Sequence, residues 1–587
     1  MNRTHSCGEL TKKEIGKKVV LNGWVDTRRD HGNLTFVDIR DRYGFTQVVL
    51  NPETSKECHE TGKKLRKEFV IRVEGSVRQR PDGTVNEDSK TGSIEIEATN
   101  LEIISSSLPM PIETSDKKQS TEETRLTYRY LDLRSEEMQK NIIARHRITK
   151  IVRDFYDENG FLDIETPILA KSTPEGARDY LVPSRVNPGK FFALPQSPQI
   201  FKQLIMISGF DRYMQIARCF RDEDLRADRQ PEFTQIDVEM SFITEEDIFE
   251  IHEKLMHKIW KEFLGVELKL PFPKYNYDEV IARFGVDRPD LRFGLELVDV
   301  TEILGNAGFN AFESVVAGGG IIKGITVEGK ADFSRKELTE LEDFVKIYKA
   351  KGLASLKIVN GKVEGGVAKF FNPKALDELK NKMNAKENDL ILLVADVPKV
   401  VNDSLGYLRS HLAEKLGLIK ENEWNFLWVK DFPMFEWDEE DGKLKAMHHP
   451  FTSPKKEDFD LLEKKPLEVR SNAYDLVLNG LEIGGGSIRI HQSDIQAKVF
   501  KALGISEKDA KEKFGFMMDA FKYGAPPHGG IAFGMDRMIM LLVGASSIRE
   551  VIAFPKNKSA MSLMDGSPSG VDAKQLKELG LKLDLKK

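Results

Sequence analysis

At 587 residues the chain is too long for one hydrophobic core, so three or four domains are expected. Its 31% charged and 40% hydrophobic residues are ordinary for a water-soluble globular protein, and no apolar run reaches the length of a membrane span. The net charge of −6 argues against a simple nucleic-acid coat protein but leaves room for local basic patches that touch RNA. The N-terminus, Met1 to Leu10, is polar and lacks a signal-peptide core. Cys7, Cys58 and Cys219 are too scattered for a disulfide framework or a zinc site. These features place the chain in the cytoplasm, with no membrane partner.

Residues 1–105 read as five short strands: Lys18–Val25, Leu34–Arg40, Thr46–Leu50, Phe69–Arg78 and Ser93–Ile104. Turn signals such as Asp82-Gly83 and Thr91-Gly92 separate them, and a helical stretch from Ser55 to Lys67 falls between the third and fourth. That is the OB-fold pattern. A small enzymatic barrel is the alternative, but no catalytic constellation is present. The region holds 18 Lys and Arg against 17 Asp and Glu, so any RNA bound here must be read by shape, stacking and base edges. Phe36 and Gln47 sit in neighbouring strands; they are either core, or an aromatic that stacks a base beside an amide that reads it.

Ser105 to Thr121 is Ser/Pro-rich and reads as a linker, and a long helix is expected from about Ser135 to Asn159. An apolar strand, Phe161 to Leu169 with Pro167, follows. Glu175 lies in the loop Thr173-Pro174-Glu175-Gly176-Ala177, where a lone acid is usually just solvated. Ser197-Pro198-Gln199-Ile200-Phe201-Lys202 has a helix-start signature, serine at the cap and proline in the first turn. Gln199 and Lys202, three apart, share a face: a plain surface helix, or an amide and an ammonium at a helix N-terminus awaiting a carboxylate.

An intensely charged run, Phe220 to Asp237, separates two apolar-rich stretches. From Phe233 onward the alternation is clean: Ile236, Val238, Met240 and Phe242 point one way, Gln235, Asp237, Glu239 and Ser241 the other. This is a strand with one buried face and a polar face able to floor a ligand site, or else a solvated hairpin. Residues 288–420 change character, with Gly318-Gly319-Gly320, two Lys-rich helical stretches and a buried strand at Asp389–Asp396, but no chemical constellation. Beyond Trp424 come Met447-His448-His449-Pro450 and the run Tyr474 to Arg489. There Asp475 and Glu482 are hard oxygen ligands suited to Mg²⁺, three glycines allow close backbone approach, and Arg489 can grip a carboxylate bidentately. A glycine-rich hairpin explains the glycines but not the acids or the arginine. Gly529 to Arg537 reads as a strand running into a helix, and the tail from Asn557 is Ser/Gly/Lys-rich and then helical. No GxxxxGK[ST] and no Rossmann GxGxxG is present, which excludes those two ATP sites.

The charged run and the strand after it resemble motif 2 of the class II aminoacyl-tRNA synthetases, with wording close to that of the bacterial aspartyl enzymes. The helix and Pro167 strand resemble motif 1, which in that family builds a homodimer interface, and Gly529–Arg537 resembles motif 3. The resemblance covers nearly the whole chain and implies ATP, L-aspartate and tRNA as substrates, with Mg²⁺ accompanying ATP. It implies that Arg221 and Arg537 are catalytic, on the α- and γ-phosphates. The aspartate pocket would comprise Glu175, Gln199, Ile200, Phe201, Lys202, Arg221, Asp237, His448 and Arg489. ATP would lie against Arg221, Asp222, Glu223, Gln230, Glu482, Gly534, Met535, Asp536 and Arg537, with Asp475 and Glu482 holding the metal. Phe36 and Gln47 would read the central anticodon base, with Arg28, Arg78 and Glu95 nearby. His31 and Gly83 match members that charge both tRNA(Asp) and tRNA(Asn), where strict members carry Leu and Lys. A tRNA-dependent amidotransferase would then be a downstream partner.

The expected fold is therefore α+β and multidomain: an N-terminal OB-fold β-barrel, a class II synthetase antiparallel-sheet catalytic domain, and an α/β insertion domain. The expected boundaries are 1–105 for the barrel, 106–134 for a linker or hinge, and 135–287 for the first catalytic part. They continue with 288–420 for the insertion, 421–556 for the second catalytic part and 557–587 for a C-terminal extension. Two readings compete with a dual-specificity ligase. One is a strict tRNA(Asp) ligase. The other is a non-catalytic RNA-binding protein on the same scaffold, which intact Arg221, Glu482, Arg489 and Arg537 argue against.

Overall fold

Alternating apolar residues close the N-terminal barrel. In the computed structural model, strands β1 (Lys18–His31), β2 (Leu34–Asp41), β3 (Gly44–Leu50), β4 (Val70–Gln79) and β5 (Ile94–Ser105) form a closed barrel in the order β1-β2-β3-β5-β4. Val19, Leu21, Val25, Val37, Ile39, Val48, Ile71, Val73 and Ile96 fill its centre. The helix α1 (Lys56–Gly62) lies between β3 and β4, shorter than the sequence suggests, with the Ser55 side chain capping the Cys58 amide. The first strand is longer than expected. Its charged second half, through His31, keeps pairing with β2 beyond a register shift between Val25 and Thr27. Charge does not end a strand whose backbone still has a partner.

The structure describes residues 2–114, 119–173, 176–225, 227–439 and 442–585. They fall into two units. One comprises residues 1–142, 553–557 and 561–568; the other comprises 143–552, 558–560 and 569–587. Within the first unit the segment expected as a linker contains helices. Short helices at Glu122–Thr127 and Arg129–Asp132 are tied together by Arg125 and Arg129, which both pair with Asp132.

The second unit is built on an eight-stranded sheet. Its strands are β6 (Leu162–Asp163), β7 (Arg212–Phe220), β8 (Glu232–Ser241), β9 (Lys274–Asn276), β10 (Phe426–Lys430), β11 (Ala473–Leu478), β12 (Leu481–Ile488) and β13 (His528–Gly534). The order is β9-β10-β11-β12-β13-β8-β7-β6, antiparallel except for the parallel edge pairs β9·β10 and β6·β7. One face packs on α2 (Glu136–Glu158), α4 (Glu245–Leu264) and α5 (Met535–Leu542) through a core that includes Val152, Tyr156, Ile236, Val238, Trp260, Trp428, Phe533 and Ile539. The helix α3 (Gln199–Ile207) packs on β8 from the polar face's side of the site. The opposite face of the central strands carries the site.

Two expectations fail locally. The strand expected over Phe161–Leu169 pairs only at Leu162–Asp163, because Pro167 supplies no donor, and Leu162, Ile168 and Leu169 are left exposed. Phe242 breaks the alternation of β8: its φ of 59° turns the chain, its amide bonds to Pro527, and its ring lies in solvent.

The inserted segment forms its own five-stranded antiparallel sheet, in the order Val298–Asp299, Ile321–Val327, Leu390–Asp396, Ala354–Val359 and Lys362–Glu364. Leu390, Leu392 and Val394 face one hydrophobic cluster, and Ile391 and Leu393 face another. Helices cover both faces, which explains the unbroken apolar run.

Candidate active site

The register of β8 puts Gln235, Asp237, Glu239 and Ser241 on one face, as the alternation requires. Asp237 and Glu239 are fully buried there. Two cations meet them. Lys202, on the first turn of α3, places Nζ 2.9 Å from Asp237 Oδ1 and 3.2 Å from Glu239 Oε2. Arg489, immediately after β12, grips Glu239 with Nε at 2.9 Å and Nη2 at 3.1 Å, and Nη1 donates to Ser487 Oγ at 2.7 Å. Burial alone would push the Glu239 carboxyl up, but Arg489 and Lys202 bring it down to about 2. For Asp237 burial wins over Lys202, and its carboxyl is raised.

Counting donors defines what is left over. Lysine has three N–H and arginine five. Lys202 directs two at the ion-paired Asp237 and Glu239, although neither Asp237 oxygen makes a hydrogen bond of good geometry; Arg489 spends two on Glu239, one on Ser487 and a long one on the Gly530 carbonyl at 3.4 Å. One N–H on each cation remains, which matches the two oxygens of one carboxylate.

A second chain of hydrogen bonds orients Gln199. The His528 Nδ1–H donates to the Pro526 carbonyl, so Nε2 must accept, and Gln203 Nε2 lies 3.1 Å from it. Gln203 Oε1 then accepts from Gln199 Nε2 at 3.0 Å. The Gln199 carbonyl oxygen is thereby turned away from Gln203 and is available to an ammonium. The cap differs by one residue from expectation: Pro198 is the N-cap, and Ser197 Oγ accepts from the Gln199 amide at 3.3 Å.

Gln199, Lys202, Asp237, Ser487 and Arg489 line a cavity of about 480 Å³ together with Arg221, His448, His449, Asp475 and Glu482. His449 is pushed down to about 3 by burial and by Arg489 and Lys202, so it is neutral. Burial opposes charge on His448, but Asp475, whose Oδ1 is 3.3 Å from Nε2, outweighs it and raises the imidazole. Next to this cavity is a second of about 180 Å³, lined by Arg221, Glu223, Arg229, Gln230, Phe233, Arg288, Glu482, Gly534 and Arg537 among others. The Arg221 guanidinium lies over the Phe233 ring at 5.1 Å. Arg537 pairs with Asp228 at 3.0 Å and donates to the Glu482 carbonyl. Glu223 pairs with Arg229 at 3.1 Å.

Asp475 and Glu482 converge over Gly485. A Cβ there would stand 2.7 Å from Asp475 Oδ1 and 3.2 Å from Glu482 Oε1, so only glycine leaves this cradle open. Burial and then Asp475 raise the Glu482 carboxyl, a repulsion that a cation would relieve. Among the described residues no group of three or more metal-type ligands occurs.

Some expected members lie elsewhere. Ile200 packs in a core cluster with Phe451 and Phe500, and Phe201 lines a separate groove with Pro167 and Leu169. Both follow from the 100° step of a helix, which turns them away from Gln199 and Lys202. Asp222 is exposed and lines neither cavity. Met535 is core, and Asp536 bonds to Arg145 and to the Thr234 amide at 2.8 Å while bordering the smaller cavity. Glu175 falls outside the described residues. The sequence reading placed Glu239 on the polar floor without a specific partner and gave no role to Phe233; for Gln203, His528, Asp287 and Arg288 no sequence signal existed.

On the barrel, Phe36, Gln47, Glu95 and Arg78 share the outer face of β2, β3, β5 and β4. Gln47 Nε2 donates to Glu95 at 2.8 Å, and Arg78 pairs with Glu95 at 2.8 Å. Phe36 stays out of the barrel core. Arg28 instead donates to the Gly62 carbonyl and pairs with Asp30, while Arg29, opposite Phe36, reaches Gln47 at 3.3 Å. His31 and Gly83 are exposed, Gly83 with φ of 80° and open space around it.

Residues 121–558 match the family described as tRNA synthetases class II (D, K and N), and residues 19–104 match the OB-fold nucleic acid binding domain. An aspartate–tRNA(Asp/Asn) ligase from Geotalea uraniireducens is 56% identical over 100% of this chain and 98% of its own. One of the same name from Caldanaerobacter subterraneus is 55% identical over 100% and 99%. Among solved structures, asparaginyl-tRNA synthetase from Pyrococcus horikoshii complexed with asparaginyl-adenylate shares the fold, with a TM-score of 0.59 at 19% identity, covering 94% of this chain and 98% of that one. The chain belongs to the class II tRNA synthetases of the D, K and N group, and it is a ligase.

Glu239→Gln should cost about 3–5 kcal/mol of stability at neutral pH, because two buried cations lose their shared partner. The folded-state value of about 2 lies below the unfolded carboxyl value, so this contribution is complete above roughly pH 4.3 and lost as pH falls through about 2. Urea titrations should show a constant gap between wild type and variant above about pH 5, closing on acidification. A gap that widens in acid, or none at pH 7, contradicts the assignment.

Proposed function

We propose that the chain attaches L-aspartate to tRNA in the cytoplasm in two steps, ATP-dependent formation of aspartyl-adenylate and then transfer to the tRNA 3′ end, and serves both tRNA(Asp) and tRNA(Asn). The observation that carries the amino-acid choice is the pair of N–H donors left over on Lys202 and Arg489, with the Gln199 carbonyl beside them. An aspartate side-chain carboxylate accepts from both donors, and its ammonium meets Gln199. An asparagine NH₂ cannot accept, and leaving a buried donor unpaired costs about 1–3 kcal/mol, more when it is charged.

Arg221 lines both cavities, so it can hold the α-carboxylate against the α-phosphate. The carboxylate attacks the α-phosphorus in line and pyrophosphate leaves; no protein nucleophile is needed, only positioning and charge neutralisation. Arg537, held by Asp228 and the Glu482 carbonyl, faces the γ-phosphate side, with Glu223, Gln230 and Phe233 around the base. Asp475 and Glu482 would hold Mg²⁺, which supplies positive charge to the phosphates when bound. A terminal ribose hydroxyl of the tRNA then attacks the aspartyl-adenylate carbonyl and AMP leaves.

The outer barrel face with Phe36, Gln47, Glu95 and Arg78 suits a stacked and edge-read anticodon base. His31 and Gly83, with the name shared by the two relatives, support relaxed reading of the third anticodon base. A tRNA-dependent amidotransferase would then convert the misacylated product. Leu162, Ile168 and Leu169, each about half exposed at 51%, 47% and 52%, suit an isologous homodimer interface. Sedimentation should therefore give a dimer at low micromolar concentration, and a fully active monomer would overturn this part.

Dual charging is tested with kcat/KM on purified tRNA(Asp) and tRNA(Asn). Wild type should use the two within about tenfold, and His31→Leu with Gly83→Lys should open a preference for tRNA(Asp) of about 10- to 100-fold, the scale of one misread base. Pyrophosphate exchange should be unaffected. A wild-type preference above a hundredfold, unchanged in the double variant, would contradict dual charging.

A further inference from the structure

The chain between Gly285 and Leu297 forms neither helix nor strand, yet it carries Asp287 and Arg288 to the two cavities. What fixes it comes from the inserted segment, chiefly its helix Pro398–Lys415. Gly285 lies so close to the Asn402 carbonyl that a Cβ would stand 2.3 Å from it, and a Cβ on Gly406 would stand 2.8 Å from the Phe284 carbonyl. Lys323, from the inserted sheet, donates to the Ala282 carbonyl at 3.0 Å and to Asn402 Oδ1 at 2.9 Å.

Arg409 makes the strongest attachment. It is 1% exposed, and it donates Nη2 to the carbonyls of Asp290 at 2.6 Å and Phe293 at 2.9 Å, and Nε to that of Gly294 at 3.0 Å. Its guanidinium also lies 4.3 Å from the Phe293 ring centre. Among the described residues it makes no ion pair. A buried arginine that gives its donors to main-chain carbonyls serves to hold that backbone in one shape. From the other side Gly480, at the tip of the β11–β12 hairpin, packs on Asp290. That hairpin carries Asp475 and Glu482. The loop is thus clamped between the inserted helix and the acidic hairpin. Two residues before the clamp, Arg288 lines the smaller cavity with Arg221, Glu482 and Arg537.

We propose that Arg288 is a third cation on the ATP phosphates, and that Arg409 is a positioning residue through which the inserted segment sets it there. This rests on the reading of the smaller cavity as the ATP site. It gives the insertion a part in adenylate formation.

The test is aspartate-dependent ATP–pyrophosphate exchange on the full chain, with thermal melting to check that each variant is folded. Arg288→Met should raise the KM for ATP by about 10- to 100-fold, the scale of a lost charge-assisted hydrogen bond, and leave the aspartate KM within about twofold. Arg288→Lys should recover part of the loss, since an ammonium replaces the charge but not the fork. Arg409→Lys, which cannot hold the three carbonyls with one fork, should raise the ATP KM by a few-fold and add nothing in the Arg288→Met background. Arg537→Ala separates the two ideas. If it abolishes exchange while Arg288→Met retains wild-type ATP kinetics, Arg288 has no such role and the ATP site stands. If both retain wild-type kinetics, the ATP site itself is misplaced. Independent, additive effects of Arg409→Lys and Arg288→Met would overturn the positioning role.

Discussion

The buried contact of Lys202 and Arg489 with Asp237 and Glu239 is the constraint on which the site depends. Four ionisable groups lie out of water on the floor of one sheet, and such a cluster is tolerable only because opposite charges are closely paired there. The pairing requires the β8 register, the first turn of α3 and the end of β12 to meet within hydrogen-bond distance. It also requires glycine at 530, where any Cβ would come within 2.1 Å of the Glu239 carboxylate. Shifting β8 by one residue would place Ile236 and Val238 on the floor and the two acids in the hydrophobic core. The fold is therefore specified as much by what the site cannot tolerate as by the apolar core beneath it.

The same arrangement divides the labour. Asp237, Glu239, Ser487 and the Gly530 carbonyl together occupy most of the donors of the two cations, and a substrate carboxylate would satisfy the remainder. On the phosphate side the cations are held differently: Arg537 by Asp228, Arg221 over Phe233, and Arg288 from a loop clamped by the inserted helix. In this proposal the amino acid and ATP meet largely different residues, with Arg221, Glu223, Gln235, Glu482 and Ala532 lining both cavities.

Much of this was legible in the sequence. The period-two alternation from Gln235 to Ser241 placed the polar floor, the barrel showed as five strands with one helix, and the glycine-rich run announced the acidic cradle. The failures have physical causes. Ile200 and Phe201 adjoin functional residues in sequence but point elsewhere because helical neighbours are a third of a turn apart. Arg29, rather than Arg28, shares the face of Phe36, because a register shift in β1 changes which residues point outward. Gln203, His528, Arg288 and Arg409 act through contacts between segments tens to hundreds of residues apart, and no local pattern encodes such contacts.

Selection of the acid over its amide is the most direct consequence of two leftover donors on Lys202 and Arg489. The decisive measurement is kcat/KM for aspartate and for asparagine in ATP–pyrophosphate exchange on the wild-type protein. A site whose buried charged donors need a carboxylate should favour aspartate by about 10⁴-fold or more. Discrimination of less than about a hundredfold, the level that size alone can supply, would show that these donors do not face the substrate side chain.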